Sequence, residues 1–278
     1  MCEFCVQHGD GKLWYLEASN YAYDLENDLE RRGYLVEFVT TFDKRMTTGI
    51  KVLDMMKVVP RPIGDAIRGV VSKRQQKDHF GQPVPLEDCE KILDIATSVV
   101  QLPCVCRHRE GEPEEGYCLA ITVGPVDGAL DEAFRGFADG PDTSKFQRLS
   151  KDEALAVLRR CESEGLMHSV WTFKTPFISA ICNCNLASGC MAMKTTLDYH
   201  LKVMWKGEYV ASVDSDLCTA CGACFGRCPF SAIKPDLAKR AVVTAEDCYG
   251  CGTCRSACRK NAISLRARGL VPEVANSW

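Results

Sequence analysis

The chain has 278 residues, 46% of them hydrophobic, and a formal net charge of −3. That size and apolar content suit one large or two modest globular domains and exclude wholesale disorder, while the near-neutral balance supplies no basic surface for nucleic acid or an anionic membrane. No apolar run approaches the ~18 residues of a membrane-spanning helix, and Met1 to Cys5 lacks the basic-then-apolar pattern of a secretory signal, so the 18 cysteines are expected in a reducing cytoplasm, as metal ligands rather than disulfides.

In chain order, the first feature is the pair Cys2 and Cys5, with His8 close behind. It reads either as further metal ligands or as a solvent-exposed thiol pair. Trp14 to Arg32 reads as a helix, with Leu16, Tyr23, Leu25 and Leu29 on its apolar side and Gly33 as its stop. Gly64 to Phe80 is polar and basic; Arg68, Lys73, Arg74 and Lys77 read as a solvated helix face, docking of an acidic partner being the other reading. Leu86 to Val100 reads as a second amphipathic helix on Ile92, Leu93, Ala96, Val99 and Val100, delivering the chain to Pro103 and Cys104. Cys89 within it, and Cys161 further on, read as buried small apolar residues.

Leu119 to Val123 is expected as a short strand, and Gly124 to Phe146 is rich in turns. Ser150 and Glu153 form a capping box for a helix that ends at Gly165. Leu166 to Phe173 follows as a strand, carrying His168 as a packed histidine. Helix then strand is similar to the wing side of a winged helix, but without a basic face no DNA binding is inferred. Cys190 opens a helix through Trp205, with Met193, Leu197, Leu201 and Met204 on one side. Gly207 to Val213 leads into the last segment. The expected class is α+β: a cysteine-rich, helix-rich domain with short strands over 1–206, and a second domain over 207–278.

The last segment holds an internal repeat. Cys218, Cys221, Cys224 and Cys228 map onto Cys248, Cys251, Cys254 and Cys258, every one shifted by thirty positions, and Gly222, Ala232 and Ile233 map onto Gly252, Ala262 and Ile263. Each half has the spacing C-x2-C-x2-C-x3-C, the run in which the fourth cysteine ligates the other iron–sulfur cluster. One [4Fe–4S] cubane then takes Cys218, Cys221, Cys224 and Cys258; the other takes Cys248, Cys251, Cys254 and Cys228. Three closely spaced thiolates on a tight loop reach three irons of one cube, and small residues let the loop aim amides at its sulfurs. Paired zinc knuckles would leave the third and fourth cysteines of each run surplus.

Roughly residues 209–268 resemble the bacterial two-[4Fe–4S] ferredoxin family, which implies a small βαβ-repeat fold and two clusters close enough for fast transfer. Pro229 follows the fourth cysteine of the first run, but Arg259 stands at the corresponding place in the second. Arg259 and Lys260 put positive charge near the cluster that Cys258 serves, which predicts a raised potential there; the other reading is that both simply face solvent.

Upstream, Cys104, Cys106 and Cys118 form one group, and Cys182, Cys184 and Cys190 another. Two C-x-C pairs, each with a trailing cysteine, are hard to explain as packing, and adjacent C-x-C thiols do not readily close a disulfide on each other. At least one further iron–sulfur cluster bridging the two segments is expected, with zinc or a redox-active thiol set as alternatives. Six thiols exceed the four of one cubane. The whole chain is similar to a wider group of ferredoxin-domain proteins whose upstream half carries P-C-x-C-R, a later lone cysteine and a C-N-C segment; the matching stretches are Leu102 to Arg107, Cys118, Glu153 to His168 and Ile181 to Cys184. That resemblance implies an electron-transfer subunit or accessory protein of anaerobic metabolism. Asn185 falls where such segments can carry a further cysteine.

The expected function is therefore an iron–sulfur protein or oxidoreductase subunit that relays electrons to a redox partner, a flavoprotein or a large oxidoreductase complex. G-x-G-x-x-G, G-x-x-x-x-G-K-[ST] and C-x-x-C-H are all missing from the upstream half, so nucleotide and covalent haem signatures are missing too. The alternative is an oxidoreductase with its own substrate site at the upstream cluster, Arg107, His108 or His168 handling charge and protons. A third reading, a cluster carrier or assembly factor, requires a labile upstream cluster.

Overall fold

β-Branched and apolar runs upstream pair into a six-stranded sheet of order β1-β5-β6-β3-β2-β4. Its strands are β1 (Gly81–Pro83), β2 (Val99–Leu102), β3 (Cys118–Ile121), β4 (Gln147–Arg148), β5 (Met167–Thr172) and β6 (Ile178–Cys184). The computed structural model describes residues 13–22, 28–109, 111, 116–122, 143–187 and 189–277. Helices α1 (Leu29–Thr40), α2 (Phe42–Met56) and α3 (Arg61–Asp78) precede the sheet. Helices α4 (Leu86–Ile95), α5 (Val105–Arg109), α6 (Lys151–Glu164) and α7 (Met191–Asp198) are threaded between and after its strands.

Strand alternation sorts the side chains onto two faces. Val99, Leu119, Ile121, Val170 and Ile181 face one way and join Cys89, Ile92 and Leu93 of α4 and Ala154 and Leu158 of α6 in the main core. Burying each large aliphatic side chain there contributes about 1.5–3 kcal/mol. Val100, Leu102 and Ala120 face the other way and pack against Leu35 and Val39 of α1. Trp171, on the same face, stacks on His79 at 5.0 Å between ring centroids; Phe38 of α1 and Phe173 lie 4.4 and 4.6 Å from the same imidazole.

The C-terminal region forms two small antiparallel ladders. β7 (Tyr209–Val213) pairs with β10 (Ile263–Ala267), and β8 (Ile233–Pro235) with β9 (Ala241–Val243); α8 (Thr253–Ser256) is a single turn. The chain is α+β, a helix-rich upstream part with short strands followed by a ferredoxin-like C-terminal part. Among the described residues no helix is long and apolar enough to cross a membrane.

Three expected boundaries are corrected. Trp14 to Arg32 is not one helix: Trp14–Leu16 and Ala18–Tyr21 are short 3-10 turns, and Tyr23 and Leu25 lie outside the described residues. The helix starts after Asp28, whose carboxylate accepts the amide of Arg31 at 2.8 Å, and runs through Gly33 rather than stopping there. A mid-helix glycine costs only about 1 kcal/mol, and the buried Leu35 and Val39 offset it. The helix from Leu86 ends at Ile95, because Val99 and Val100 pair in β2 with Ile121 and Ala120 of β3. The helix from Cys190 ends at Asp198, because Val203 and Trp205 hydrogen-bond to Gly81 of β1 instead. The capping box, the Gly165 stop (φ 85°), the strand at Leu119 and the strand after Leu166 all form as expected. Most of the turn-rich stretch Gly124 to Phe146 lies outside the described residues.

A buried carboxylate ties the two regions together. Asp88 of α4 is fully buried; its Oδ2 accepts the hydroxyls of Tyr15 (2.7 Å) and Tyr209 of β7 (2.9 Å), and its Oδ1 accepts Lys91 Nζ (2.8 Å). Glu87 beside it receives both terminal nitrogens of Arg255 in α8, at 2.7 and 2.6 Å. Gly207 threads between Pro83 O and Tyr249 O, where a Cβ would stand 2.5 and 2.8 Å from those oxygens. Asp88→Ala leaves the buried Tyr15 hydroxyl and the half-buried Tyr209 hydroxyl without their acceptor. Chemical denaturation is expected to show a loss of about 3 kcal/mol, against less than half of that for Glu87→Ala, whose ion pair is partly open to water.

Candidate metal centre

The thirty-residue repeat reappears as backbone geometry. Cys218 N donates to Asp214 O at 3.1 Å, and Cys248 N to Thr244 O at 3.1 Å. Phe225 N reaches Gly222 O at 3.0 Å, and Arg255 N reaches Gly252 O at 2.9 Å. Gly222 and Gly252 hold φ of 76° and 83°, the left-handed conformation that turns each loop back on itself. Ala232 N points at Cys228 Sγ and Ala262 N at Cys258 Sγ, both at 3.3 Å, and Ala211 N at Cys248 Sγ at 3.4 Å.

The eight thiols fall into two neighbouring sets. Burial pushes Cys224 up, and the facing thiols Cys218, Cys221 and Cys258 add to it. Burial likewise pushes Cys251 up to about 11, with Cys248 and Cys228 as its charged neighbours. Cys254 is raised by burial and then by Cys251, Cys248, Cys228 and, across the gap between the sets, Cys224. Cys258 thus stands beside the thiols of the first run, and Cys228 beside those of the second. Thiolate donors, amides aimed at sulfur and glycine-turned loops all suit iron–sulfur clusters. Cys221 alone of the eight is exposed; the Ala223 amide lowers its pKa most, with Thr219 and Arg259 adding to it. Arg259 and Lys260 are both exposed.

Arg268, fully buried, is a neighbour of the second set that the sequence does not single out. It donates to the carbonyls of Gly207 (2.7 Å), Tyr209 (3.0 Å) and Cys248 (2.6 Å), fixing a positive charge behind the second set. Nothing in its sequence context separates it from the exposed arginines around it.

Upstream, the structure gathers all six expected cysteines at one place. Cys104 follows β2, Cys106 lies in α5, Cys118 opens β3, Cys182 and Cys184 sit two apart on β6, and Cys190 caps α7. Leu102 pairs with Cys118, and Leu119 with Ile181, so strand register brings Cys118 beside Cys182, and the period of two keeps Cys184 on their face. The thiol pKa values of Cys106 and Cys118 are raised chiefly by hydrogen bonding to Cys104, that of Cys184 by hydrogen bonding to Cys190, and burial adds to all three. Cys104 and Cys190 are correspondingly lowered by those donors. Amides of Ala192 and Met193 at the start of α7 also stabilise the Cys190 thiolate, and the Met191 amide faces Cys106.

These thiols share one apolar cluster with the second C-terminal set. Cys184 and Cys190 pack with Met167, Met193, Met204, Trp171, Phe230 and Cys251, and Cys182, Cys228 and Tyr249 lie at its edge. Phe230 and Tyr249 stack at 3.9 Å with their planes 9° apart. The hydrophobic spacing of Met193 flagged a buried helix side, but only the fold reveals what it meets.

Other candidates are not brought to the thiols. His168 is buried on the opposite sheet face, its Nδ1 donating to Asn183 Oδ1 at 2.6 Å while Asn183 Nδ2 donates to Tyr117 O at 2.6 Å. Arg107 lies over the Tyr117 ring at 3.9 Å. Cys89 and Cys161 are buried, and burial raises the thiol pKa of both, as suits packing residues. Cys2, Cys5 and His8 lie outside the described residues. Among the described residues, no group of three or more His, Cys, Asp or Glu side chains closes on a single-ion site.

His79 stands on the thiol-bearing face, and burial lowers its pKa to about 4. Its Nδ1 lies 2.6 Å from Thr172 O, so Nδ1 carries the proton of a neutral ring. The unfolded chain protonates this ring near pH 6.5 where the fold keeps it neutral. Stability is therefore complete above pH 6.5 and falls as the pH drops toward 4. His79→Phe is expected to remove a pH dependence on the order of 3 kcal/mol over that window, read from urea midpoints at pH 4.5 and 7.

Residues 217–263 match the family described as a 4Fe-4S dicluster domain. No curated protein matches the chain. The C-terminal region is accordingly a ferredoxin-type iron–sulfur region that binds [4Fe–4S] and has an electron-transfer role, a role that requires a redox partner.

Proposed function

We propose that the chain is an electron relay with three stations: an upstream iron–sulfur cluster and two C-terminal [4Fe–4S] clusters. Cys248, Cys251, Cys254 and Cys228 hold the inner C-terminal cluster, and Cys218, Cys221, Cys224 and Cys258 the outer one. Cys104, Cys106, Cys118, Cys182, Cys184 and Cys190 supply the ligands of the upstream cluster. When bound, such clusters supply one-electron transfer. Everything else is the work of side chains that bind, insulate and bias.

The observation that carries this reading is the shared apolar cluster running from Cys184 and Cys190 through Met167, Met193 and Phe230 to Cys251 and Cys228. It excludes water between the upstream thiols and the inner set. The inner set adjoins the outer one through Cys254 and Cys224, and the outer set reaches solvent at Cys221. The order upstream, inner, outer gives a path with one surface end, where a partner protein, a flavoprotein or a larger oxidoreductase, makes contact. A metal upstream is supported by energetics too: buried thiolates need a cation nearby. The division of labour falls near Lys206, with ligands of separate clusters on either side.

Anaerobically purified protein is expected to carry about twelve irons, with matching acid-labile sulfide, as three cubanes require. Cys182→Ser combined with Cys184→Ser should lower that count by about four and leave the EPR signals of the C-terminal clusters in place. A wild-type count of about eight, or stoichiometric zinc upstream, removes the third station. Arg259 biases the outer cluster toward its reduced form. Arg259→Glu should lower the outer potential by roughly a few tens of millivolts, less in high salt, with the inner potential unmoved in an EPR-monitored titration.

A further inference from the structure

Between the upstream thiols and helices α1 and α2 lies a cavity of about 350 Å3. Phe38, Phe42, Ile50 and Leu53 wall it on the helix side, Trp171 and Phe173 on the sheet side, and the six thiols border one end. An apolar cavity of about 150 Å3 already accepts benzene, so this one has room beyond whatever seats on the thiols. Its polar lining is largely engaged. The Gln75 amide donates to His79 O at 2.6 Å, and Arg45 pairs with Glu37 at 3.4 Å and lies over the Tyr34 ring.

His79 is the exception. Its Nδ1 is committed to Thr172 O at 2.6 Å, which leaves Nε2 as a lone-pair acceptor with no hydrogen-bond partner among the described residues. Aromatic rings pack around the imidazole, their centroids 4.4 Å (Phe38), 4.6 Å (Phe173) and, for the stacked Trp171, 5.0 Å from its own. An ionic ligand would lose its hydration here without gaining a free counter-charge. A flat apolar ring would stack, and a single donor on it would satisfy Nε2.

We propose that this cavity binds a small neutral ring compound, of one or two fused rings with a single hydroxyl or N–H donor, next to the upstream thiols. Its redox meaning rests on the upstream cluster proposed above, as the substrate site of an oxidoreductase; the binding itself does not, and the two are read separately. Indole and indene serve as probes, equal in shape but differing in the donor. Calorimetric titration of the full, anaerobically purified chain is expected to give one indole site per chain, about five-fold tighter than indene. His79→Phe should bring the two probes level by weakening indole alone. Leu53→Trp should fill the cavity and weaken indole by tenfold or more; Ile50→Phe does the same should Leu53→Trp fail to fold, each variant being checked by its C-terminal EPR signals. Absence of indole binding, or binding unchanged by the filling variants, overturns the site; equal affinity for indole and indene in the unaltered protein overturns the role of His79. A preparation with about eight irons that still binds indole retains the site and loses the upstream cluster. One with about twelve that ignores indole does the reverse.

Discussion

A β-strand must send successive side chains to opposite faces, and the upstream half of this protein depends on that constraint. Val99 of β2, Leu119 and Ile121 of β3 and Ile178 and Ile181 of β6 face α4 and α6 and form the core. The residues between them include Cys118, Cys182 and Cys184, which the same register delivers to one spot. Cys104 and Cys106 arrive because β2 ends beside the start of β3, and Cys190 because the chain turns at the end of β6 into α7. A slip of one residue in the β3–β6 pairing would turn thiols toward the core and its aliphatic side chains, such as Leu119 or Ile181, toward the cavity. The aliphatic face thus protects the chemical face.

The two regions are coupled by different kinds of contact on different sides. Asp88 and Glu87 hold β7 and α8 through directional bonds, where misplacement leaves buried polar groups unmet. On the other side, methionines and aromatics fill the space between thiol sets without directional demands, as suits a boundary that has to exclude water. Arg268 adds a buried charge whose three carbonyl acceptors include Cys248 O, so its field acts at close range and with little screening. Arg259, exposed, acts on Cys221 through water.

The C-terminal half was legible from the sequence because its information is local: eight cysteines at fixed short spacings, repeated after thirty residues, leave little freedom in how loops close. The grouping of the six upstream thiols was legible in outline, since two C-x-C pairs demand a common purpose, but their meeting point depends on the order of strands far apart in sequence. Helix ends were the least legible. Ala96 to Val100 keeps a helical spacing, yet Val99 and Val100 do better in a ladder than on a helix. Gly33 looked like a stop because its local cost is visible, whereas the burial of Leu35 and Val39 that outweighs it is not. His168 is packed, as its place on an apolar strand implies; Arg268 carries no local signal at all.

Gly207 bears on modularity. Small ferredoxin-type units invite excision and exchange, and the approach to the cysteine repeat leads one to expect a seam beside this glycine. Yet here the backbone passes between Pro83 O and Tyr249 O with no room for a Cβ, two residues before Tyr209 reaches Asp88. The seam in sequence is thus among the tightest joints in space. A transplanted ferredoxin unit would have to reproduce that glycine, the tyrosine and Arg255 to seat at all, so the two halves have to change as one heritable unit rather than as interchangeable parts.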